Sequence, residues 1–165
     1  MSAADHEEAD APVDGDGQAA EALRELLEHV VDALGLDADI QIAEDDETLT
    51  GTLEGDDLGL FIGRHGQTID AVQHLAYRIA AAAPDGPQRV IVDAAGYRER
   101  REHALHRQAD EAAEDAVRSG RPVALDAMSA TERKVVHEHL KDREDVETYS
   151  EGTEPDRHLV VAPLE

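Results

Sequence analysis

The stretch that decides the fold is Leu60–Gln73, which reads LFIGRHGQTIDAVQ. Its glycines, Gly63 and Gly66, frame a turn, and an apolar periodicity running from Gln67 to about Ala83 predicts the helix that follows. Because glycine has no Cβ atom, such a turn lets the backbone approach a ligand closely. The start of a helix also presents unpaired N–H groups and the positive end of the helix dipole, which together favour an anion.

Two basic side chains lie between the glycines. Arg64 carries a permanent charge and a forked set of donors that suits phosphate oxygens. His65 donates a hydrogen bond while neutral and gains charge at lower pH. The turn, together with Gln67 at the helix start, is therefore a candidate contact for a nucleic-acid backbone. A Gly-x-x-Gly pattern alone is a weak signal, because glycines begin helices in many folds.

The elements predicted around this turn make the pattern more specific. Apolar residues three and four apart predict a helix from Ala19 to Leu34, ended by Gly35. Alternating residues then predict a hairpin that turns at Asp45–Glu47. The continuous apolar run in Arg89–Val92 predicts a strand in a central position of the sheet. The order is helix, strand, strand, short helix, Gly-x-x-Gly, helix and strand.

A long helix, rich in Arg, Glu and Ala, is predicted for residues 96–119. It is too polar for a core element, so we expect it to connect two modules. After it, Val123 and Leu125 predict a short strand, and a second hairpin is predicted around Gly152. The chain therefore reads as two small units of mixed helix and strand.

The helix predicted between these last strands carries a second candidate site. Ser129 and Glu132 have the spacing of a capping box at its start. Arg133 and His137 stand four residues apart, so both side chains project from one helix face, with Lys134 beside them. One phosphate or base could meet both. Alone, such a pair more often marks a solvated helix face than a binding site.

With these motifs in place, a family resemblance can be stated. Residues 19–95 resemble a KH domain of the bacterial arrangement (type II), whose Gly-x-x-Gly loop clamps backbone nucleotides. Met128–His137, reading MSATERKVVH, lies in residues 120–165 and resembles the Arg-x-x-x-His domain, in which the matching arginine and histidine are the signature residues. The pair of domains is similar to that of the Jag family, also called KhpB. The expected fold is α+β, with two small domains joined by the long polar helix.

The resemblance also implies a function and its partners. It implies a bacterial, cytoplasmic RNA chaperone or post-transcriptional regulator, linked to cell elongation, division or sporulation. Single-stranded RNA is the expected ligand. The resemblance also allows single-stranded DNA at the second domain and a small single-KH protein as a partner. The RNA-binding residues are expected to be Gly63, Arg64, His65, Gly66 and Gln67 in the first domain and Arg133, Lys134 and His137 in the second.

The charge distribution places most of the acid away from the predicted loop. The net charge is −24, and residues 1–60 contain 19 acids and one base. Residues 61–107, by contrast, contain seven arginines and five acids. Residues 1–18 hold too little apolar surface to order themselves and are expected to form a disordered acidic tail. Solubility or adaptation to a salt-rich cytoplasm would also explain the excess of acidic residues.

Two other functions stay open. The acidic first 60 residues favour a protein-interaction adaptor, in which the KH scaffold docks a basic partner. An RNA-processing enzyme is a weaker alternative, since no catalytic set is recognisable. The chain has no cysteine, and His103 with His106 lacks an obvious third ligand, so neither a metal nor a cofactor is expected. No apolar run approaches the ~20 residues that span a bilayer, so membrane insertion is not expected.

Overall fold

The computed structural model describes residues 13–87 and 89–164. The chain divides into two compact units, of which the first ends at Tyr97 and the second begins at Arg98. The elements of the first unit are β1 (Val13–Asp14), α1 (Gln18–Leu34), β2 (Asp39–Glu44), β3 (Thr48–Glu54), α2 (Gly59–Ile62), a 3-10 turn (Arg64–Gly66), α3 (Gln67–Ala80) and β4 (Arg89–Ala94). They form a sheet of order β1-β2-β3-β4, in which only β3 and β4 run parallel. The predicted order of helices and strands around Gly-x-x-Gly is confirmed.

The first core lies between the helices and the sheet. The predicted stripe of α1 is buried at Leu23, Leu27 and Val31. Alternate residues of β3 face the same core, and among them Gly51 allows a close approach: a Cβ atom there would lie 2.6 Å from a methyl carbon of Leu27. Burying each leucine stabilises the fold by roughly 1.5–3 kcal/mol, and a glycine on β3 lets α1 sit against the sheet.

Both ends of α1 are fixed by identifiable groups. At the end, Gly35 takes the left-handed conformation, with φ 64°, and its N–H bonds the carbonyl oxygens of the last turn. At the start, the carboxylate of Asp85 accepts hydrogen bonds from the N–H groups of Gln18 (2.8 Å) and Ala19 (3.0 Å). The capping carboxylate therefore comes from the loop between α3 and β4, far away in sequence.

Part of the predicted disordered tail is ordered. Residues 1–12 lie outside the described residues, but Val13 and Asp14 pair with β2, and the N–H of Gly15 donates to the carbonyl of Ile42 at 3.2 Å. The prediction is therefore wrong for residues 13–18. The reason is that the open edge of β2 offers unpaired backbone groups, which a short segment satisfies without needing apolar side chains.

The position predicted for β4 is also wrong, because this strand lies at the edge of the sheet. Its free side is satisfied by the side chain of Gln73 on α3. The amide nitrogen of Gln73 donates to the carbonyl of Val90 at 2.5 Å, and its amide oxygen accepts from the N–H of Val92 at 2.7 Å. A run that looks continuously apolar can therefore be an edge strand when a helix side chain pairs with its backbone.

The second unit is organised around a smaller sheet. Its elements are α4 (Tyr97–Ser119, which begins one residue before the unit), β5 (Val123–Ala124), α5 (Ala130–Leu140), β6 (Val146–Glu151) and β7 (His158–Pro163). The strand order is β5-β7-β6, and both pairs are antiparallel. The predicted hairpin and the capping box at Ser129 and Glu132 are confirmed.

The prediction that α4 is too polar for a core is wrong. A narrow stripe of α4 is buried in the core of the second unit: Leu105, Ala109, Ala112, Ala113 and Ala116. The stripe is narrow because alanine side chains are small. A helix that is charged over the rest of its surface can therefore still pack along such a stripe. An ion pair adds to the attachment, because Nε of Arg101 lies 2.6 Å from Oε1 of Glu132 on α5. Within residues 13–87 and 89–164, no helix is long and apolar enough to cross a membrane.

Candidate nucleic-acid interface

The turn before α3 requires glycine at its first position. Gly63 has φ 75° and ψ 174°, a backbone conformation essentially restricted to glycine. A Cβ atom at this position would lie 2.8 Å from the backbone nitrogen of Thr68, so no side chain fits. Thr68 therefore lies against the first end of the loop.

The other end of the loop is left-handed over two consecutive residues. His65 has φ 53° and Gly66 has φ 78°. Gly66 is buried, and a Cβ atom there would lie 2.7 Å from the hydroxyl oxygen of Tyr97. Arg64 and His65 between the glycines are both exposed. The backbone of the loop at Gly66 thus packs against Tyr97, while the two basic side chains of the loop face solvent.

The loop lies directly at the start of α3. Within the described residues, no side chain caps this helix, so the positive end of its dipole has no side-chain partner. The N–H of Gln67 itself donates to the carbonyl of Arg64. Gln67, the first helical residue, is exposed. Leu60, on the short helix before the loop, is 63% exposed. The geometry combines the positive end of a helix, two basic side chains and one apolar side chain, which suits a nucleotide backbone with an adjacent base.

The second candidate site differs from its prediction in one respect. The side chain of Arg133 is only 10% exposed. Its Nη1 donates to the carbonyl of Met128 at 2.9 Å and to Oε1 of Glu154 at 3.0 Å. Arg133 therefore holds the loop between β6 and β7, and most of its side chain is covered by protein.

His137 and Lys134 are the exposed members of the predicted trio. Nδ1 of His137 lies 2.6 Å from Oγ1 of Thr148 on β6. Lys134 forms no ion pair with any residue in the part of the chain that the structure describes. Lys141, by contrast, bonds Glu138, and this hydrogen bond lowers the pKa of the Glu138 carboxyl and raises the pKa of the Lys141 ammonium group. Of the two lysines, Lys134 is the one open to a ligand.

Two further histidines of this unit form a separate pair. The rings of His106 and His139 stack with centroids 4.1 Å apart, and Nε2 of His139 lies 2.9 Å from Oδ1 of Asp110. His139 thus points toward α4, whereas His137 points toward β6. Among the described residues, no group of three potential ligands could hold a metal ion.

The sequence did not identify the residues that support the first loop. Thr68 and Tyr97 contact the glycines from different directions, and Leu60 adds an exposed apolar side chain. The positive φ of His65 was not predictable either, because in a sequence it is glycine that indicates such a conformation. For Arg133 the partner in the β6–β7 loop depends on tertiary folding, which helix spacing alone does not encode.

Comparison with known proteins agrees with this architecture. The KhpA/KhpB KH domain matches residues 20–93, and the Arg-x-x-x-His domain matches residues 103–163. The chain is 36% identical to the RNA-binding protein KhpB of Clostridium symbiosum over 140 residues, covering 84% of this chain and 63% of that protein. It is 38% identical to the protein of the same name in Lactiplantibacillus plantarum over 144 residues, covering 87% of this chain and 45% of the relative.

A third relative, the KhpB of Bacillus subtilis, is 29% identical over 138 residues, covering 82% of this chain and 66% of that protein. The chain thus spans less than two thirds of the length of each of these three relatives. A KhpA/KhpB-type KH domain followed by an Arg-x-x-x-His domain, together with these relatives, shows that the chain belongs to the Jag/KhpB family.

Proposed function

We propose that this protein binds single-stranded RNA and that the loop Gly63–Gly66 makes the principal contact. The observation that carries the proposal is the loop itself: its conformation and close packing require glycine at both ends, and Arg64 and His65 are exposed at the start of α3. An RNA phosphate would accept hydrogen bonds from Arg64 and would be attracted by the positive end of the helix dipole. The printed names of the relatives, each an RNA-binding protein, support the same function.

The proposal includes a second contact on α5. Lys134 and His137 are exposed there and would meet the phosphate backbone, while Arg133 carries positive charge just beneath the surface. Each contact would be weak alone. Because the two units belong to one chain, binding at one raises the effective concentration of RNA at the other.

The test uses a matched pair of double variants. Arg64→Asp with His65→Asp should abolish most binding of a labelled single-stranded RNA in fluorescence anisotropy. The control is His74→Asp with Arg78→Asp, which makes the same charge change at exposed positions of α3 beyond the loop. Circular dichroism should show that both variants stay folded. The assignment of the loop fails if the two variants bind RNA equally well.

The proposal also covers the location of the protein in the cell and its further ligands and partners. We propose a cytoplasmic, non-catalytic regulator or chaperone of RNA, with single-stranded DNA as a further ligand of the second unit and a small single-KH protein as a partner. Competition by unlabelled single-stranded DNA tests the first of these, and co-purification tests the second. Cleavage of a mixed RNA in the presence of divalent metal ions would contradict the non-catalytic role.

One observation favours the adaptor as a second candidate function. Four exposed residues of α1 are acidic: Glu21, Glu25, Glu28 and Asp32. Such residues fit a basic protein surface. Crosslinking in cells separates the two functions, because an adaptor would recover proteins without enriched RNA.

A further inference from the structure

Tyr97 lies directly beneath the second glycine of the loop. A Cβ atom on Gly66 would lie 2.7 Å from the hydroxyl oxygen, 2.9 Å from Cε1 and 3.2 Å from Cζ of this tyrosine. All three atoms are at the outer end of the ring, so the ring edge touches the backbone of the loop. The hydroxyl oxygen is buried, and the ring packs against the core of the first unit. It is therefore held in place and cannot simply swing aside.

A strained turn brings Tyr97 to this position. Ala95 and Gly96 are both left-handed, with φ 49° and 66°, and the N–H of Ala95 donates to the carbonyl of Leu53 at 2.9 Å. Left-handed backbone is unfavourable for alanine, and such strain persists only where the surrounding structure imposes it. The turn directs the chain from β4 into α4, whose first residue is Tyr97.

We propose that Tyr97 is a positioning residue for the RNA-binding loop, which rests on the function proposed above. The ring holds Gly66 in its left-handed conformation, and this conformation presents Arg64 and His65 together at the start of α3. Thr68 supports the opposite end of the loop, at Gly63. A loop that is fixed before RNA arrives loses less conformational freedom on binding, and its affinity is higher for that reason.

Two kinds of variant test this role. Tyr97→Ala removes the ring and should weaken the binding of a labelled mixed-sequence single-stranded RNA by about tenfold, the scale of one well-made contact. Tyr97→Phe keeps the ring and should bind nearly as well as the unmodified chain. Kd is measured well below the thermal transition of each variant, so that a change in fold stability alone leaves it unaltered.

A suppression experiment distinguishes positioning from general stability. Gly66→Ala should lose RNA binding, and adding Tyr97→Phe should restore part of it, because the hydroxyl is the atom closest to the new methyl group. Gly63→Ala is the matched control: its methyl group meets Thr68, so Tyr97→Phe should restore nothing there. If Tyr97→Ala fails to fold, this pair of double variants still decides the question.

The possible outcomes separate this inference from the proposed function. Failure of the unmodified chain to bind RNA would overturn the proposed function before any Tyr97 variant is made. Binding by the unmodified chain with an unchanged Kd for folded Tyr97→Ala would overturn the role of Tyr97 alone. The role of Tyr97 would also be overturned if adding Tyr97→Phe restored RNA binding equally to Gly66→Ala and Gly63→Ala, or restored it to neither.

Discussion

At His65 the proposed RNA contact and the stability of the fold have opposite requirements. Its φ of 53° places it in the left-handed region, which costs a residue with a Cβ atom about 1–2 kcal/mol. Its neighbour Gly66 takes a similar conformation without this cost. An exposed histidine in a strained conformation between two glycines indicates that the side chain has a use there, because strain of this kind is concentrated at functional sites.

Replacing His65 by glycine should therefore move stability and affinity in opposite directions. His65→Gly relieves the strain and should raise the free energy of unfolding by about 1 kcal/mol, while RNA binding weakens because a donor is lost. Ala95→Gly, at φ 49°, is the control for strain alone: it should raise the free energy of unfolding by a similar amount. Urea unfolding and fluorescence anisotropy measure the two quantities. A loss of stability in His65→Gly would show that the histidine is not strained.

Arg133 and Glu154 form one ion pair with unequal partners. The side chain of Arg133 is 10% exposed and that of Glu154 is 61% exposed. Removing Arg133 should lower the free energy of unfolding more than removing Glu154, because Arg133 also donates to the carbonyl of Met128. Arg133→Met should lower the free energy of unfolding by about 1.5–3 kcal/mol, the range for hydrogen bonds to charged groups. Glu154→Gln should change it by less than about 1 kcal/mol, as for exposed ion pairs. Thermal unfolding of the two variants compares them, and equal small effects would mean that Arg133 is not a structural residue.

Among the helices and strands, those with local signals were predictable. The stripe and Gly35 define α1, alternation defines β2 and β3, and Ser129 with Glu132 announces the start of α5. The features that the sequence did not reveal depend on distant partners. Gln73 satisfies the edge of β4, and β1 is ordered by the edge of β2. Local propensity cannot report such contacts, because they form only once the chain has folded.

The cap of α1 provides a test of one such distant contact. Asp85→Ala removes both hydrogen bonds to the N–H groups of Gln18 and Ala19, and loss of a cap typically costs about 1 kcal/mol. Asp32→Ala removes the same charge at an exposed position near the end of α1. It should be neutral or slightly stabilising, because a negative charge is unfavourable at the C-terminal end of a helix. Chemical denaturation distinguishes the two variants, and an equal loss in both would argue against the cap.

For the whole molecule, the residues of the candidate site were more predictable than the residues that pack against them. The pattern at Gly63–Gly66 and its neighbours indicated the loop and its two basic residues. The order of the two domains was also readable, because each carries a compact motif. What the sequence could not give was burial: Arg133 lies under the surface and Tyr97 lies under the loop. Burial is a property of the completed fold, which motif spacing does not specify.

The net charge of −24 opposes the proposed RNA binding, and the acidic residues of α1 make this effect testable. Low ionic strength, near 0.01 M, extends the Debye length to about 30 Å, which exceeds the ~13 Å radius of gyration expected for a unit of this size. Glu25→Gln, Glu28→Gln and Asp32→Asn together remove three exposed negative charges from the unit that carries the loop. We expect this triple variant to bind RNA several-fold more tightly at low salt, because long-range repulsion falls.

The same gain should disappear as salt is added. At about 1 M salt the Debye length is only ~3 Å, so the removed charges can no longer act on an RNA at the loop. Anisotropy titrations of the triple variant and the unmodified chain across this range give two slopes of log affinity against log salt, and the slope should be steeper for the variant. A gain that persists at high salt would instead indicate a local change in the fold. No gain at any salt would mean that the acidic residues of α1 do not oppose RNA, and would favour their use as a docking surface for a basic protein.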